Sequence, residues 1–121
     1  MANKLDTMKF KNACMQKLDR AYRPIRNVIR FSFTETMEHY LQKCLICYEL
    51  SKMGLEFVCE ARFYGGSRAD IYVLDKDTAI EVLHTEKDEN LDKKRKEYPC
   101  WVTGIRTTEK ITFERVEKLV N

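Results

Sequence analysis

The chain reads as an α/β sandwich, and three observations predict it. From residue 34 onward the apolar residues recur in the order helix, three strands, helix, strand, helix. The second and third of those strands are apolar on both faces, as in a sheet buried between layers. Turn residues (Pro24, Gly54, Gly65-Gly66, Pro99) stand between these stretches. The expected architecture is an αβββαβ core with an extra N-terminal helix and strand. At 121 residues it is one domain, with residues 1–33 packing on a core of residues 34–121.

Over residues 7–22, Met8, Cys14, Met15, Leu18 and Tyr22 recur at helical spacing and lysines fill the rest of the cylinder, which predicts an amphipathic helix. Pro24 interrupts it. Residues 25–33 then alternate, with Ile25, Asn27, Ile29, Phe31 and Phe33 on one side, the period of a strand. A long helix follows over 34–53, with Thr34 or Thr36 as its cap and Gly54 to end it. Met37, Leu41, Cys44, Leu45 and Tyr48 form one stripe on it, and Ile46, Leu50 and Met53 a second. A helix apolar on two sides packs on the sheet and is covered from outside, with the N-terminal helix as the expected cover. Residues 55–63, 69–74 and 78–85 read as strands, 88–98 as a charged helix stopped by Pro99, 100–106 as a strand and 112–120 as a closing helix.

Composition narrows the setting. No stretch approaches the roughly 20 apolar residues of a membrane span, and the polar start lacks the apolar region of a secretory signal. Five cysteines without the spacing of a disulfide scaffold fit a reducing compartment. A soluble, cytoplasmic protein with no membrane partner is expected. Cys44 and Cys47 form a Cys-x-x-Cys, but with no second pair at zinc-finger spacing they read as small core residues. The net charge of +3 says little by itself. Its distribution says more, because residues 20–30 hold four arginines and no carboxylate.

Two carboxylates interrupt sequences that otherwise look like buried sheet: Asp70 in Ala69-Asp70-Ile71-Tyr72-Val73, and Glu81 in Ala79-Ile80-Glu81-Val82-Leu83. Each must find a cation, a donor or a proton, and a divalent metal held between them would satisfy both. An even loop around Asp75-Lys76-Asp77 places them on one sheet face, whereas a three-residue loop places them on opposite faces. Taken alone, either acid reads first as sitting at a solvated strand end or pairing with Arg62 or Arg68.

Gly65-Gly66-Ser67-Arg68-Ala69-Asp70 followed by Ala79-Ile80-Glu81 resembles the acid-bearing hairpin of archaeal Holliday-junction resolvases. Glu38-His39-Tyr40-Leu41-Gln42-Lys43 and Glu81-Val82-Leu83-His84-Thr85 resemble the nuclease domain of bacterial competence proteins. Over residues 34–120 the chain thus resembles the PD-(D/E)XK nuclease superfamily, which implies a restriction-endonuclease-like fold and a DNA endonuclease, on branched or junction DNA. By that likeness Asp70 and Glu81 ligate Mg²⁺ (or Mn²⁺), and the helix adds an acid, Glu38 or Glu35. The position that is lysine or glutamine in those families is Leu83 here.

Lys43, one turn after His39, is the expected substitute, both assigned to the catalytic set, against a reading of both as a solvated helix face. Lys93, Lys94 and Lys96, with Arg26, Arg30 and Arg68, are the candidate phosphate contacts. Lys87 or Lys94 stands next in line for the missing charge. No aromatic-basic interleaving of a single-strand reader stands out. The expected partner is DNA, and junction cutting would call for a symmetric homodimer. The rival expectation, carried by Leu83, is a DNA-binding or assembly protein on the same fold that has lost activity.

Overall fold

A computed structural model describes residues 3–121. Helix α1, Lys4–Met15, starts at Asn3, whose side chain accepts the Asp6 N–H. It ends sooner than its apolar spacing suggests, because Leu18 leaves it to bridge to Phe63. A 3₁₀ turn, Arg20–Tyr22, follows and closes on Arg23 at a left-handed φ of 49°.

The strand expected over 25–33 does not form, and residues 23–36 carry neither helix nor strand. Asn27 adopts a φ of 58°, which turns the chain. Its backbone N–H donates to the Phe57 carbonyl at 2.7 Å and its side chain accepts the Phe57 N–H at 3.0 Å, so the segment hydrogen-bonds to the sheet backbone at Phe57 instead of along a ladder.

Helix α2, Met37–Lys52, is capped by Thr36 and terminated at Gly54, where φ is 75°. Four strands then build one sheet: β1 (Phe57–Arg62), β2 (Arg68–Val73), β3 (Thr78–Leu83) and β4 (Trp101–Arg106), in the order 1-2-3-4. The first two pairings are antiparallel. The third is parallel, with helix α3 (Asp88–Glu97) as the crossover. Helix α4, Phe113–Val120, closes the chain. The element order from α2 onward is the expected αβββαβα. Among the described residues no helix is long and apolar enough to cross a membrane.

The sheet is covered on both faces. Val58, Tyr72, Ala79 and Leu83 pack with Cys14 of α1, Leu18 and Leu91 of α3. Phe57, Ile71, Ile80, Val82 and Ile105 pack with Ile46 and Leu50 of α2 and with Val116 and Leu119 of α4. The N-terminal helix therefore lies across the sheet from α2 and does not cover it. The Met37, Leu41, Leu45 and Tyr48 stripe of α2 stays exposed, while the Ile46 and Leu50 side is the buried one.

Candidate functional site: an acid row at the end of the sheet

The β2–β3 hairpin places the two strand acids together. Val73 and Thr78 are the last partnered residues, so the loop spans residues 74–77, an even number. The register Ile71↔Ile80 then sets Asp70 opposite Glu81 on one face. There the ladder itself stops, and the side chains replace it. The Asp70 N–H donates to Glu81 Oε2 at 3.3 Å, and the Val82 N–H donates to Asp70 Oδ2 at 2.8 Å.

A third acid extends the row. In β1 the pairs Cys59↔Ile71 and Ala61↔Ala69 leave Glu60 beside Asp70, at a φ of 50°. That conformation breaks the alternation of the strand: Cys59 packs on the α2 side, yet Ala61 packs on the α1 side. The Glu60 side chain reaches Lys43 at 4.0 Å and Arg68 at 3.8 Å, while its Oε2 is buried and finds no hydrogen-bond donor among the described residues. Glu60 is a residue the sequence reading missed. The signal was available, since an acid inside Val58-Cys59-Glu60-Ala61 interrupts a buried run in the same way as Asp70.

Helix α2 closes the row from one side. His39 Nε2 lies 3.3 Å from Asp70 Oδ2, and its Nδ1 lies 2.6 Å from Glu35 Oε1. Lys43 Nζ stands 2.8 Å from the same Glu35 oxygen. Glu35, not Glu38, is the acid near the start of α2 that faces the site; Glu38 is exposed. From the other side, Lys94 of α3 brings its Nζ to 3.7 Å from Glu81 Oε1. The Tyr98 hydroxyl sits between that oxygen and the Arg68 carbonyl, and with one proton it donates to one of them.

Burial and the neighbouring Asp70 carboxylate push Glu81 up to about 8. Asp70 moves the other way: burial alone would raise it, but the His39 hydrogen bond, with the contacts of Glu81 and the Val82 N–H, holds it below the usual carboxylate range. The hydrogen bond to Asp70 raises His39 to about 9, against burial and with help from Glu35. Burial raises Glu60 as well, against the pull of Lys43 and Arg68. Asp70, Glu60, Glu35 and His39 line a cleft of about 320 Å³, and Glu81 is buried behind Asp70. Arg68, Lys94 and His84 line its walls.

The remaining expected site residues lie elsewhere. Lys43 is fully buried and does not line the cleft. Arg26 is bound to Glu56 at 2.6 Å. Arg30 donates to the Tyr22 and Arg23 carbonyls. Lys93 and Lys96 are exposed on α3 and do not line the cleft. Leu83 shares the face of Glu81, as expected, but is turned into the α3 core, where it and Leu91 fill the space above Gly104.

Whether the acids suit a divalent cation is a matter of donor chemistry. Asp70 and Glu81 offer hard oxygens, and their mutual repulsion, visible in the raised Glu81, is what a cation would relieve. Among the described residues no group of three or more His, Cys, Asp or Glu is arranged to hold a metal ion. Two carboxylates are a normal protein share for Mg²⁺, which completes its shell with water and phosphate oxygens. Compared with known protein families, with characterised proteins and with solved structures, the chain matches none.

Proposed function

We propose that the chain is a divalent-cation-dependent phosphodiesterase acting on DNA, of the PD-(D/E)XK kind on a restriction-endonuclease-like fold. The observation that carries this is the pairing of Asp70, which lines a cleft whose walls supply Arg68 and Lys94, with Glu81, buried directly behind it. The carboxylates would hold Mg²⁺ or Mn²⁺, and the ion's chemistry is Lewis acidity toward a phosphate oxygen and toward water. Lys94 is placed to stabilise charge developing on the phosphate, the task that Leu83 leaves vacant. Arg68 steers the backbone into the cleft. His39 and Glu35 hold Asp70 in its rotamer, and Lys43 balances the charge of Glu35 from behind.

The test is cleavage of labelled single-stranded, duplex, flap and junction DNA with Mg²⁺ or Mn²⁺. Cleavage that disappears with chelator and in Asp70→Ala is the expected result. Asp70→Ala cutting as fast as the wild type would contradict it. A second reading, a DNA-binding protein that no longer cuts, is favoured by the packing of Leu83 against α3. It is the outcome if the wild type binds these substrates and cuts none of them.

A further inference from the structure

We propose that the groove next to the acid cleft is a binding site for single-stranded DNA, an inference that rests on the nuclease reading and names the form of its substrate. The groove has a volume of about 410 Å³ and shares Ser32, Thr34, Glu60 and Arg68 with the cleft, so a strand lying in it runs onto the acid row. Its lining gathers two residue types from separate parts of the chain. Tyr22 comes from the 3₁₀ turn after α1, Phe31 and Phe33 from the irregular segment that follows it, and Arg30, Arg62 and Arg68 from that segment, β1 and β2. Four of these six lie within residues 22–33, and the sheet adds Arg62 and Arg68.

The aromatic rings are open to water. Phe33 is 101% exposed, Phe31 62% and Tyr22 50%. Phe31 is held edge-on against Tyr40, with ring centres 5.4 Å apart, and the Arg62 guanidinium lies 4.6 Å from the centre of the Tyr22 ring. Three large rings beside Arg62 and Arg68, with Arg30 adding its charge from the Tyr22 and Arg23 carbonyls and Glu60 the only acid on the lining, match a polyanion that carries flat apolar faces. Single-stranded DNA has both, because its bases are free to stack on side chains while its phosphates meet the guanidinium groups. Duplex DNA presents the phosphates but keeps its base faces stacked inside. A protein partner would find the rings but would gain less from the arginines.

The experiment measures binding of the full chain without divalent cation, so that cleavage plays no part. Fluorescence anisotropy compares an oligothymidylate strand, a duplex of the same length and an abasic strand of the same length. The oligothymidylate is expected to bind about tenfold more tightly than either, given the strength of base stacking on aromatic side chains. The Phe31→Ala/Phe33→Ala variant is expected to lose that preference at an unchanged melting temperature, since both rings are exposed. Arg62→Gln is expected to lower the salt dependence for all three ligands.

Equal binding of thymidylate and abasic strands, tighter binding of the duplex, or an unaffected phenylalanine variant would overturn the proposal. It would also fall if the phenylalanine variant changed the oligomeric state while strand binding stayed the same, because the rings would then belong to an interface between copies. Duplex or junction cleavage without strand preference discards the groove and keeps the acid site. Strand preference without cleavage keeps the groove and discards the catalytic reading.

Discussion

Lys43 and Lys94 differ in what surrounds their ammonium groups, and that difference assigns them different work. Lys43 is fully buried, 2.8 Å from Glu35 and 4.0 Å from Glu60, behind the acids and away from the cleft. Lys94 is about one-third exposed and lies 3.7 Å from Glu81 at the cleft wall. Lys94→Ala is therefore expected to lower the cleavage rate by about 10²-fold or more while DNA affinity changes little, the pattern of a lost transition-state contact. Lys43→Ala is expected to act through the fold, costing roughly 2–5 kcal/mol, because it empties a fully buried position and removes one of the two cations beside Glu35. Cleavage kinetics for the first and urea unfolding for the second check the assignment, and a stable, inactive Lys43→Ala would reverse it. Lys43 follows His39 by one turn, and spacing alone therefore points to it. Spacing along a helix tells which residues share a face, but not which neighbouring acid captures an ammonium on the way to the site.

At the level of elements, the hairpin was readable except for one residue of its loop and the N-terminal third was not, for different physical reasons. The sequence bounds 69–74 and 78–85 leave a three-residue loop, which would part Asp70 and Glu81; Leu74 belongs to the turn instead, and the resulting loop of four puts directly opposed residues on one face. Residues 25–33 alternate as a strand does, yet a strand also needs a neighbour along its length, and Asn27 at φ 58° turns the segment after it hydrogen-bonds to Phe57. Helix α2 has apolar residues on two sides, and periodicity cannot say which side meets the sheet; Gln42, Lys43 and Cys47 went inward with Ile46, while Leu41 and Leu45 stayed out. The packing of β3, β4 and α3 yields its own expectation. Leu83 is 4% exposed against Leu91, with Gly104 leaving room for both. Leu83→Lys would bury a charge without a partner, so it is expected to destabilise the protein by roughly 3 kcal/mol or more and to create no activity in an inactive chain. A stable Leu83→Lys with new or faster cleavage would show that the side chain swings into the cleft.

Across the whole molecule, the acid site sets how stability responds to pH. Glu81 holds its proton up to about 8 when folded and to 4.5 when unfolded, so the native state binds more protons and stability falls as pH rises across that interval. His39 is raised from 6.5 to about 9, so its contribution is complete below 6.5 and is lost as pH rises to about 9. Asp70 and Glu35 act in the opposite sense: with folded values below 3.8 and 4.5, the stability they add is lost as acid is added. The melting temperature is expected to decline from weakly acid to alkaline pH, and Glu81→Gln is expected to flatten the decline between 4.5 and 8. An unchanged slope would mean that Glu81 ionises normally. A bound divalent cation should remove the cause of the decline by replacing the proton that Glu81 holds beside Asp70. Calorimetric titration of Mn²⁺ into the protein at several pH values tests this. The expected result is saturable binding that tightens as pH rises, releases a proton and disappears in Asp70→Asn; no binding, or binding unaltered in Asp70→Asn, would contradict the assignment of the two carboxylates as a cation site.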